Sequence, residues 1–417
     1  MHSEITSIDN NTNKMDENVM EENVITEKVM TENTDSLKWD DFGFNTQLLR
    51  GIYCMGFENP SSIQQKAIKP MLTGSDLIAQ AQSGTGKTGT FSISILQLID
   101  PSVSTTQAIV LSPTHELAIQ SATVIKNIGA MMKNVVVQTL IGGSSVYDDT
   151  QSLKNTPPHI IVGTPGRVYD MIKRNFLNTE NIKVFVLDEA DDMLSSGFKD
   201  QIYNIFQHLP NQVQVALFSA TMPPEILELT KKFMKNPIKI IMKTEELNLE
   251  CIQQYYIAIQ SDKEKYTMLK QLFEYLSVSQ CIIYVNSVKR VMDLYNAMIE
   301  EGFSVCSIHS SMTKTERDQS FVQFKNGVYR ILISSNITAR GIDIQQVSIV
   351  INFDIPNCVH TYLHRIGRSG RWGRKGTAIN FVTRRDIHYM KNIEQHYKSN
   401  IAEFPLNENI GKTLNKY

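Results

Sequence analysis

A glycine-rich turn followed by a lysine and a threonine lies early in the chain. It is the sequence AQSGTGKT, Ala81–Thr88, between the apolar run Leu77–Ala81 and a stretch with helical periodicity. The backbone amides of such a turn and the N-terminus of the helix after it bind phosphate oxygens. Lys87 would then reach the β- and γ-phosphates of a nucleotide, and the Thr88 hydroxyl would ligate Mg²⁺. The amides of the cradle would come from Ser83, Gly84, Thr85 and Gly86.

Two adjacent acids end a later apolar run. Asp188 and Glu189 follow Val184–Leu187. An acid at the end of a strand is often only solvated. Beside a phosphate-binding turn the pair has a further use, because phosphoryl transfer needs a metal holder and a group that orients water. We expect Asp188 to hold Mg²⁺ largely through water and Glu189 to act as general base. The chemistry indicated is hydrolysis of a nucleoside triphosphate.

The elements that must position these residues follow from the hydrophobic pattern. Strand-length apolar runs alternate with helix-length amphipathic stretches, which is typical of a parallel sheet flanked by helices. Ligands of such sheets bind at the carboxyl ends of the strands, where both motifs fall. The predicted strands are Leu77–Ala81, Ala108–Ser112, Val135–Ile141, His159–Val162, Val184–Asp188 and Val213–Ser219, then Cys281–Val285, Ser304–Ile308, Arg330–Ser334, Ser348–Phe353 and Thr377–Val382.

The length of 417 residues favours two domains over one hydrophobic core. We place the domains at residues 39–240 and 251–417, with a linker at 241–250 in the charged, Pro-containing stretch near Lys235–Glu250. Residues 1–38 hold nine acids and three lysines and repeat a five-residue pattern that fits neither helix nor strand. We expect a disordered acidic tail there; a regulatory acidic arm is the alternative.

Composition excludes several classes of protein. Hydrophobic residues make up 41% of the chain, but no apolar run reaches the about 18 residues of a membrane-spanning helix. The acidic N-terminus argues against a secretory signal or a mitochondrial transit peptide. Without the tail the chain keeps 38 basic and 34 acidic residues of its 41 and 43, a balance that suits a phosphate-rich partner. Scattered cysteines predict buried thiols in a reducing compartment: Cys54, Cys251, Cys281, Cys306 and Cys358.

The sequence DEAD, Asp188–Asp191, beside the phosphate-binding turn resembles the DEAD-box RNA helicases, and the resemblance extends from Trp39 to Tyr417. It implies an α/β fold of two tandem RecA-like parallel-sheet domains. The stretch GFENPSSIQ, Gly56–Gln64, is similar to the motif with which this family reads adenine. By that resemblance Phe57 stacks on adenine, Gln64 hydrogen-bonds its edge, and Trp39 is the isolated upstream aromatic, so that ATP is the implied nucleotide.

The resemblance also implies RNA contacts in the first half of the chain. Turns with bare backbone amides and one arginine grip phosphates without reading bases. His115 stands where the family has an arginine, which puts one charge in doubt. The motif Ser219-Ala220-Thr221 would couple the ATP state to RNA binding through Ser219 and Thr221. The implied RNA-binding residues are Pro113, Thr114, Gly142, Gly143, Thr164, Pro165, Gly166 and Arg167.

The second half supplies the complementary motif, HRIGRSGR, His364–Arg371. The resemblance implies that Arg368 and Arg371 are arginine fingers on the γ-phosphate, where permanently charged planar groups suit the transition state. His364 is counted with them as catalytic. Asp343 would contact the ribose, and RNA would be bound by Asn286, Ser335 and Arg340. Four departures from the family pattern leave RNA affinity open: Tyr284, Lys314, Asn336 and Trp372, of which Asn336 loses a charge.

Neither half holds a complete site, so hydrolysis should require that the two domains close on each other. RNA that binds both domains should favour this closure. Within the family, GFKDQIY (Gly197–Tyr203) and GIDIQQVS (Gly341–Ser348) resemble the members that act in translation initiation. This implies a cytoplasmic monomer that unwinds RNA locally, with a scaffold protein of the initiation factor 4G type. The alternatives are an exon-junction-type ATP-gated RNA clamp and a ribosomal RNA processing helicase, both nuclear, and a DNA translocase.

Overall fold

The computed structural model describes residues 37–81, 84–195, 197–222, 224–242, 252–275, 280–336, 347–369 and 376–405. The tail predicted for residues 1–38 lies almost wholly outside this part of the chain. So does the predicted linker, apart from residues 241 and 242. Four predicted site residues also lie outside it: Ser83, Arg340, Asp343 and Arg371.

The first half of the described chain forms one sheet in which all neighbouring strands are parallel. We call this sheet and its helices the first lobe. Its strands, in spatial order, are β3 (Val137–Leu140), β4 (Ile160–Gly163), β2 (Ala108–Leu111), β5 (Val184–Asp188), β6 (Gln214–Ser219), β1 (Leu77–Gln80) and β7 (Ile238–Ile241). Its α-helices are α1 (Thr46–Cys54), α2 (Ser62–Leu72), α3 (Lys87–Leu98), α4 (His115–Ile128), α5 (Val146–Asn155), α6 (Pro165–Lys173), α7 (Ala190–Ser195), α8 (Lys199–Gln207) and α9 (Pro224–Phe233).

The second half repeats this architecture as the second lobe, again with parallel neighbours throughout. Its strands, in spatial order, are β10 (Val305–Ile308), β11 (Ile331–Ser334), β9 (Cys281–Tyr284), β12 (Ile349–Asn352), β13 (Gly376–Val382), β8 (Ile252–Ala258) and β14 (Ala402–Glu403). Its α-helices are α10 (Lys265–Tyr275), α11 (Val288–Glu300), α12 (Lys314–Lys325), α13 (Val359–Ile366) and α14 (Ile387–Tyr397). The predicted pair of parallel α/β sheets is confirmed.

Both faces of each sheet are covered by helices, which explains the continuous apolar runs. Along β5, Val186 packs into the core under α1–α4, whereas its neighbours Phe185 and Leu187 pack into the core under α5–α9. The same alternation in β9 sends Ile283 towards α10 and α11 and Ile282 towards α12. A strand that is buried on two sides has no solvent face on which to place polar residues.

Every run predicted as a strand forms one, with ends that differ by at most two residues, but three strands were missed. The linker predicted at 241–250 overlaps the first sheet at Ile241, because Ile238–Ile241 pairs with β1 as the edge strand β7. Three of its four residues are isoleucines, which favour a strand, but the Pro-containing, charged flanks led to the linker interpretation; only Ile240 is buried. The strands β8 and β14 were missed because neither forms a continuous buried apolar run: three of the seven residues of β8 are buried, and β14 is short and exposed.

The prediction that the cysteines are buried is correct for Cys281 and Cys306, which lie in β9 and β10. It is wrong for Cys54 and Cys358, which are exposed free thiols. Both lie at helix ends, Cys54 as the last residue of α1 and Cys358 just before α13, where neighbouring apolar residues do not ensure burial. Among the described helices, none has both the length and the apolar character that crossing a bilayer requires.

Candidate active site

The phosphate-binding turn leads from β1 into α3. Gly86 precedes α3 with φ 105°, and Gly84 has φ 86°, both in the left-handed region that glycine adopts without strain. A Cβ atom at Gly86 would lie 2.8 Å from Ser61 Oγ and 2.9 Å from Gln64 Nε2. The backbone of the turn is therefore held close to the start of α2, and its amides precede the positive end of a 12-residue helix.

The predicted adenine-reading residues lie against this turn. Gln64 is buried, its Oε1 accepts a hydrogen bond from Ser61 N at 2.7 Å, and its Nε2 donates to Gly86 O at 3.4 Å. Phe57 lies beside Gly89, whose Cβ atom would be 3.7 Å from the Phe57 ring. The motif GFENPSSIQ and the phosphate-binding turn thus form one continuous surface.

Trp39 is fully buried, so the structure places it behind this surface rather than on it. Its ring centroid is 6.5 Å from that of Phe57, and it packs against Phe42 and Phe44 as well. A buried indole acts on a nucleotide only through its neighbour. The role of Trp39 in this structure is to support the Phe57 ring.

The lysine of the turn meets the second of the paired acids. Lys87 Nζ lies 3.2 Å from Glu189 Oε1, and both side chains are only 5% exposed. Glu189 has φ 49°, a left-handed conformation that is costly for a residue with a Cβ atom. This conformation turns the chain between β5 and α7, and it brings the carboxylate to the phosphate-binding turn.

Asp188 ends β5 inside an acidic pocket. Burial raises the pKa of its carboxyl to about 7, with a further contribution from Glu189, while Lys87 partly opposes the shift. Asp188, Glu189 and Asp191 are all buried. These three acids outnumber the buried cations Lys87 and Arg368. The remaining negative charge suits a divalent cation, and oxygen donors are the ligands that Mg²⁺ prefers. The residues present therefore fit the predicted cation.

Residues of both lobes meet at Asp191. Thr221, which follows β6, donates its hydroxyl to Asp191 Oδ2 at 2.6 Å, and His364 Nε2 from α13 lies 3.3 Å from the same oxygen. Arg368 is buried beside them, and its Nε donates to His364 O at 3.2 Å. The sequence motifs DEAD, SAT and HRIGRSGR thus converge on one carboxylate.

Ser219 connects this cluster to the turn. It is buried at the end of β6, its carbonyl accepts from Ala81 N at 3.0 Å, and its hydroxyl accepts from Thr221 N at 3.4 Å. A second contact between the lobes is an ion pair of Arg317 in α12 with Glu116 in α4, at 2.9 Å and largely buried.

The predicted RNA-binding residues of the first lobe lie at helix starts and turns after strands. Thr114 caps α4, with its hydroxyl accepting from Leu117 N at 3.2 Å. Thr164 is at the N-cap position of α6 without a side-chain capping hydrogen bond, and Pro165 is the first residue of that helix. A Cβ atom at Gly166 would meet nothing within 4 Å, whereas at Gly142 it would lie 3.0 Å from His115 Nε2. Gly143, with φ 79°, is open, and Pro113 precedes Thr114 after β2.

Arg167 does not extend into solvent. Its guanidinium pairs with Asp149 and donates to the Ser144 hydroxyl and carbonyl, each at 2.9 Å. It thereby ties α6 to the loop that follows Gly142 and Gly143. The expectation that Arg167 grips phosphate itself remains a prediction; what the structure adds is that it orders the glycine loop.

In the second lobe, Arg365 joins the predicted RNA-binding residues. Asn286 Oδ1 accepts from Arg365 Nη2 at 2.8 Å, and Ser335 precedes Asn336, whose Oδ1 also accepts from Arg365. The sequence motif contained Arg365, but no role was assigned to it. Its place in the same motif as His364 and Arg368 was the available signal. The convergence on Asp191 was also missed, because nothing in the sequence pairs an acid with a histidine so far along the chain.

Comparisons with known proteins agree with this geometry. Residues 61–229 match the family model "DEAD/DEAH box helicase", and residues 264–373 match "Helicase conserved C-terminal domain". The chain is 52% identical to the ATP-dependent RNA helicase eIF4A of Chaetomium globosum over 88% of this chain and 92% of that protein. It is also 52% identical to eukaryotic initiation factor 4A of Caenorhabditis elegans, over 88% of this chain and 90% of that protein.

Two solved structures share the arrangement of both lobes. S. cerevisiae Dbp5 bound to RNA and ADP BeF3 superposes with a TM-score of 0.84 at 35% identity, over 91% of this chain and 99% of that chain. Mss116p bound to ssRNA and AMP-PNP superposes with a TM-score of 0.80 at 25% identity, over 92% of this chain and 83% of that chain.

Proposed function

This chain belongs to the DEAD/DEAH box helicase family, and on that premise we propose that it is an ATP-dependent RNA helicase of translation initiation. It hydrolyses ATP when RNA brings the two lobes together, and closure separates a short stretch of duplex. The relatives that share half of its residues are named for both the activity and the initiation role.

The observation that carries this proposal is the meeting of His364 and Thr221 at Asp191. Asp191 lies two residues from the predicted base Glu189, and His364 lies four residues from the predicted finger Arg368. When the lobes are closed, Glu189 of the first lobe and Arg368 of the second lie around the pocket that contains Lys87. Opening the lobes would take the pocket apart.

Each residue has a chemical task in this pocket. Lys87 and the turn amides bind the phosphates, and Glu189 takes the proton of the attacking water, a contribution of about 10²–10⁴ in rate. Glu189 pairs with Lys87; a triphosphate that binds the lysine would leave the carboxylate to the water. Arg368 stabilises the charge that develops on the transferred phosphoryl group, worth about 10³–10⁵ in rate. Arg371 and Asp343 keep their predicted roles on the γ-phosphate and ribose.

Thr88 and Asp188 would hold the cation. When bound, Mg²⁺ supplies positive charge beside the phosphate oxygens. Asp188 is suited to this because its carboxylate is buried among acids and gains most from a neighbouring cation.

RNA would lie across both lobes, on the turns of the first and on Asn286, Ser335 and Arg340 of the second. These contacts address phosphates and sugars, so binding should depend little on sequence. One closure disrupts only a few base pairs, since each stacking step costs about 1.4 kcal/mol. A chain of this type would act as a cytoplasmic monomer that depends on a scaffold protein of the initiation factor 4G type.

The test is a comparison of ATP hydrolysis with no nucleic acid, with single-stranded RNA and with DNA of the same sequence and length. We expect strong stimulation by RNA and little by DNA. Equal rates in all three conditions would contradict the proposal. Affinity purification from native cells tests the role: recovery of cap-binding scaffold proteins supports initiation, whereas exon-junction or ribosome-precursor proteins would assign the same chemistry to one of the nuclear alternatives.

A further inference from the structure

A fully buried guanidinium lies directly beneath the predicted RNA-binding surface of the second lobe. Arg365 is 0% exposed, while Asn286 and Asn336, which accept hydrogen bonds from it, are exposed. Its charge is therefore separated from solvent by a single layer of amide groups.

All five N–H groups of Arg365 have acceptors, and each acceptor is neutral. Nε and Nη2 both donate to Asn336 Oδ1, at 2.9 and 2.6 Å, and Nη2 also donates to Asn286 Oδ1 at 2.8 Å. Nη1 donates to Asn352 Oδ1 at 3.2 Å and to the Asp354 backbone carbonyl at 2.7 Å. With every donor in use, Arg365 has no N–H left with which to bind a phosphate directly, so it acts on RNA through position and charge.

The side-chain carboxylate of Asp354 pairs with other cations and not with Arg365. Asp354 accepts from Lys265 Nζ at 2.9 Å and from Arg290 at 2.6 Å, and the same two cations pair with Asp262. Among the described residues this connected cluster holds three cations and two anions, a net charge of +1. Burial lowers the pKa of Arg365 to about 10, which leaves it charged at neutral pH.

We propose that Asn336 sets the RNA affinity of the second lobe: its amide accepts two hydrogen bonds from Arg365 without neutralising it, and a phosphate of the bound RNA supplies the counter-charge. The inference rests on the proposed function, which brings the RNA to Asn286 and Ser335. Ser335 is held in place from beneath, because the Ser334 hydroxyl donates to Ile308 O at 2.8 Å and lies 3.0 Å from Ser335 O. The lobe thus offers RNA a fixed surface with a positive charge behind it.

Asn336→Asp tests the charge with little change of shape. The aspartate can accept the same two hydrogen bonds from Arg365, so the variant should fold. Its added negative charge lowers the net charge of the cluster from +1 to zero. We expect binding of a single-stranded uridine oligonucleotide, in the presence of a non-hydrolysable ATP analogue, to weaken by about fivefold at low salt. The slope of log affinity against log salt should flatten by about 0.7, the value of one phosphate contact on a single strand.

Asp262→Asn is the matched variant of opposite sign. Asp262 is exposed and belongs to the same cluster, so its neutralisation raises the net charge, and RNA should bind about twofold more tightly with a steeper slope. An unchanged affinity and slope in Asn336→Asp, or shifts of the same sign in both variants, would overturn the inference while the wild type still binds RNA. A wild-type chain that binds no RNA would overturn the proposed function, and this inference with it.

Discussion

His364 Nε2 lies 3.3 Å from Asp191 Oδ2, so a buried histidine of the second lobe contacts the last acid of the DEAD sequence in the first. Thr221 donates to the same oxygen. Asp191 lies in the first turn of α7, two residues after Glu189. The contact therefore reports the approach of the second lobe to the predicted catalytic base.

Replacing His364 should uncouple the lobes. His364→Ala removes the contact with Asp191, and we expect RNA-stimulated turnover to fall by about tenfold, the usual size of a coupling between sites. Nucleotide binding to the first lobe should be unaffected. Steady-state hydrolysis at saturating RNA measures the effect. His360→Ala, on the same helix but paired with His396 instead, is the control; equal losses in both variants would count against a coupling role.

Replacing Glu189 should stop the chemistry without releasing the ligands. In Glu189→Gln, turnover should fall by about 10²–10⁴ because the general base is lost, while the complex with ATP and RNA persists. Single-turnover hydrolysis and RNA retention measured together test this. Asp200→Asn, an exposed acid of α8, should behave as wild type. If Glu189→Gln still supports the cellular role, the chain acts as an ATP-gated clamp rather than as an unwinding enzyme.

Gly86→Ala should weaken ATP binding by at least about tenfold. The new Cβ atom would lie 2.8 Å from Ser61 Oγ and 2.9 Å from Gln64 Nε2, and alanine at φ 105° costs about 1–2 kcal/mol. Titration with a fluorescent ATP analogue measures the change. Gly74→Ala separates strain from collision, since Gly74 has φ 77° and open space around it. It should lose stability but bind ATP normally.

Most strands of both sheets were predictable because burial on two faces shows directly in the residue types. Strands such as β5 and β9 are buried on both faces, so their residue types alone identify them. The edge strand β7 has one buried residue in four, and its sequence IKII favours a strand but stands between Pro-containing and charged segments that are typical of a connection. Side-chain partners depend on the fold: the sequence predicts that Arg167 and Trp39 matter, but only the structure shows that Arg167 faces Asp149 and that Trp39 lies behind Phe57.

Folding stability should decrease in mild acid through His159. This residue is buried, burial lowers the pKa of its imidazole below the usual 6.5, and its Nδ1 accepts a hydrogen bond from Val136 N at 3.1 Å. The unfolded chain then binds the proton more readily than the folded one. The stabilisation is complete above about pH 6.5 and is lost as pH falls through the lower folded pKa.

Urea unfolding at about pH 7.5 and about pH 5 checks this sign. The difference in free energy of unfolding between the two conditions should be smaller in His159→Gln than in the wild type, since glutamine can accept from Val136 without titrating. A larger or equal difference in the variant would contradict the assignment.

The shared pocket is tested most directly by the rate of ATP hydrolysis after removal of Arg368 and Arg371 together, with and without RNA. The account predicts that Arg368→Ala with Arg371→Ala lowers the RNA-stimulated rate by about 10³–10⁵, that ATP still binds the first lobe, and that Arg385→Ala, an exposed arginine of the second lobe, leaves the rate unchanged. Hydrolysis by the double variant at the wild-type rate, with no response to RNA in either protein, would contradict it.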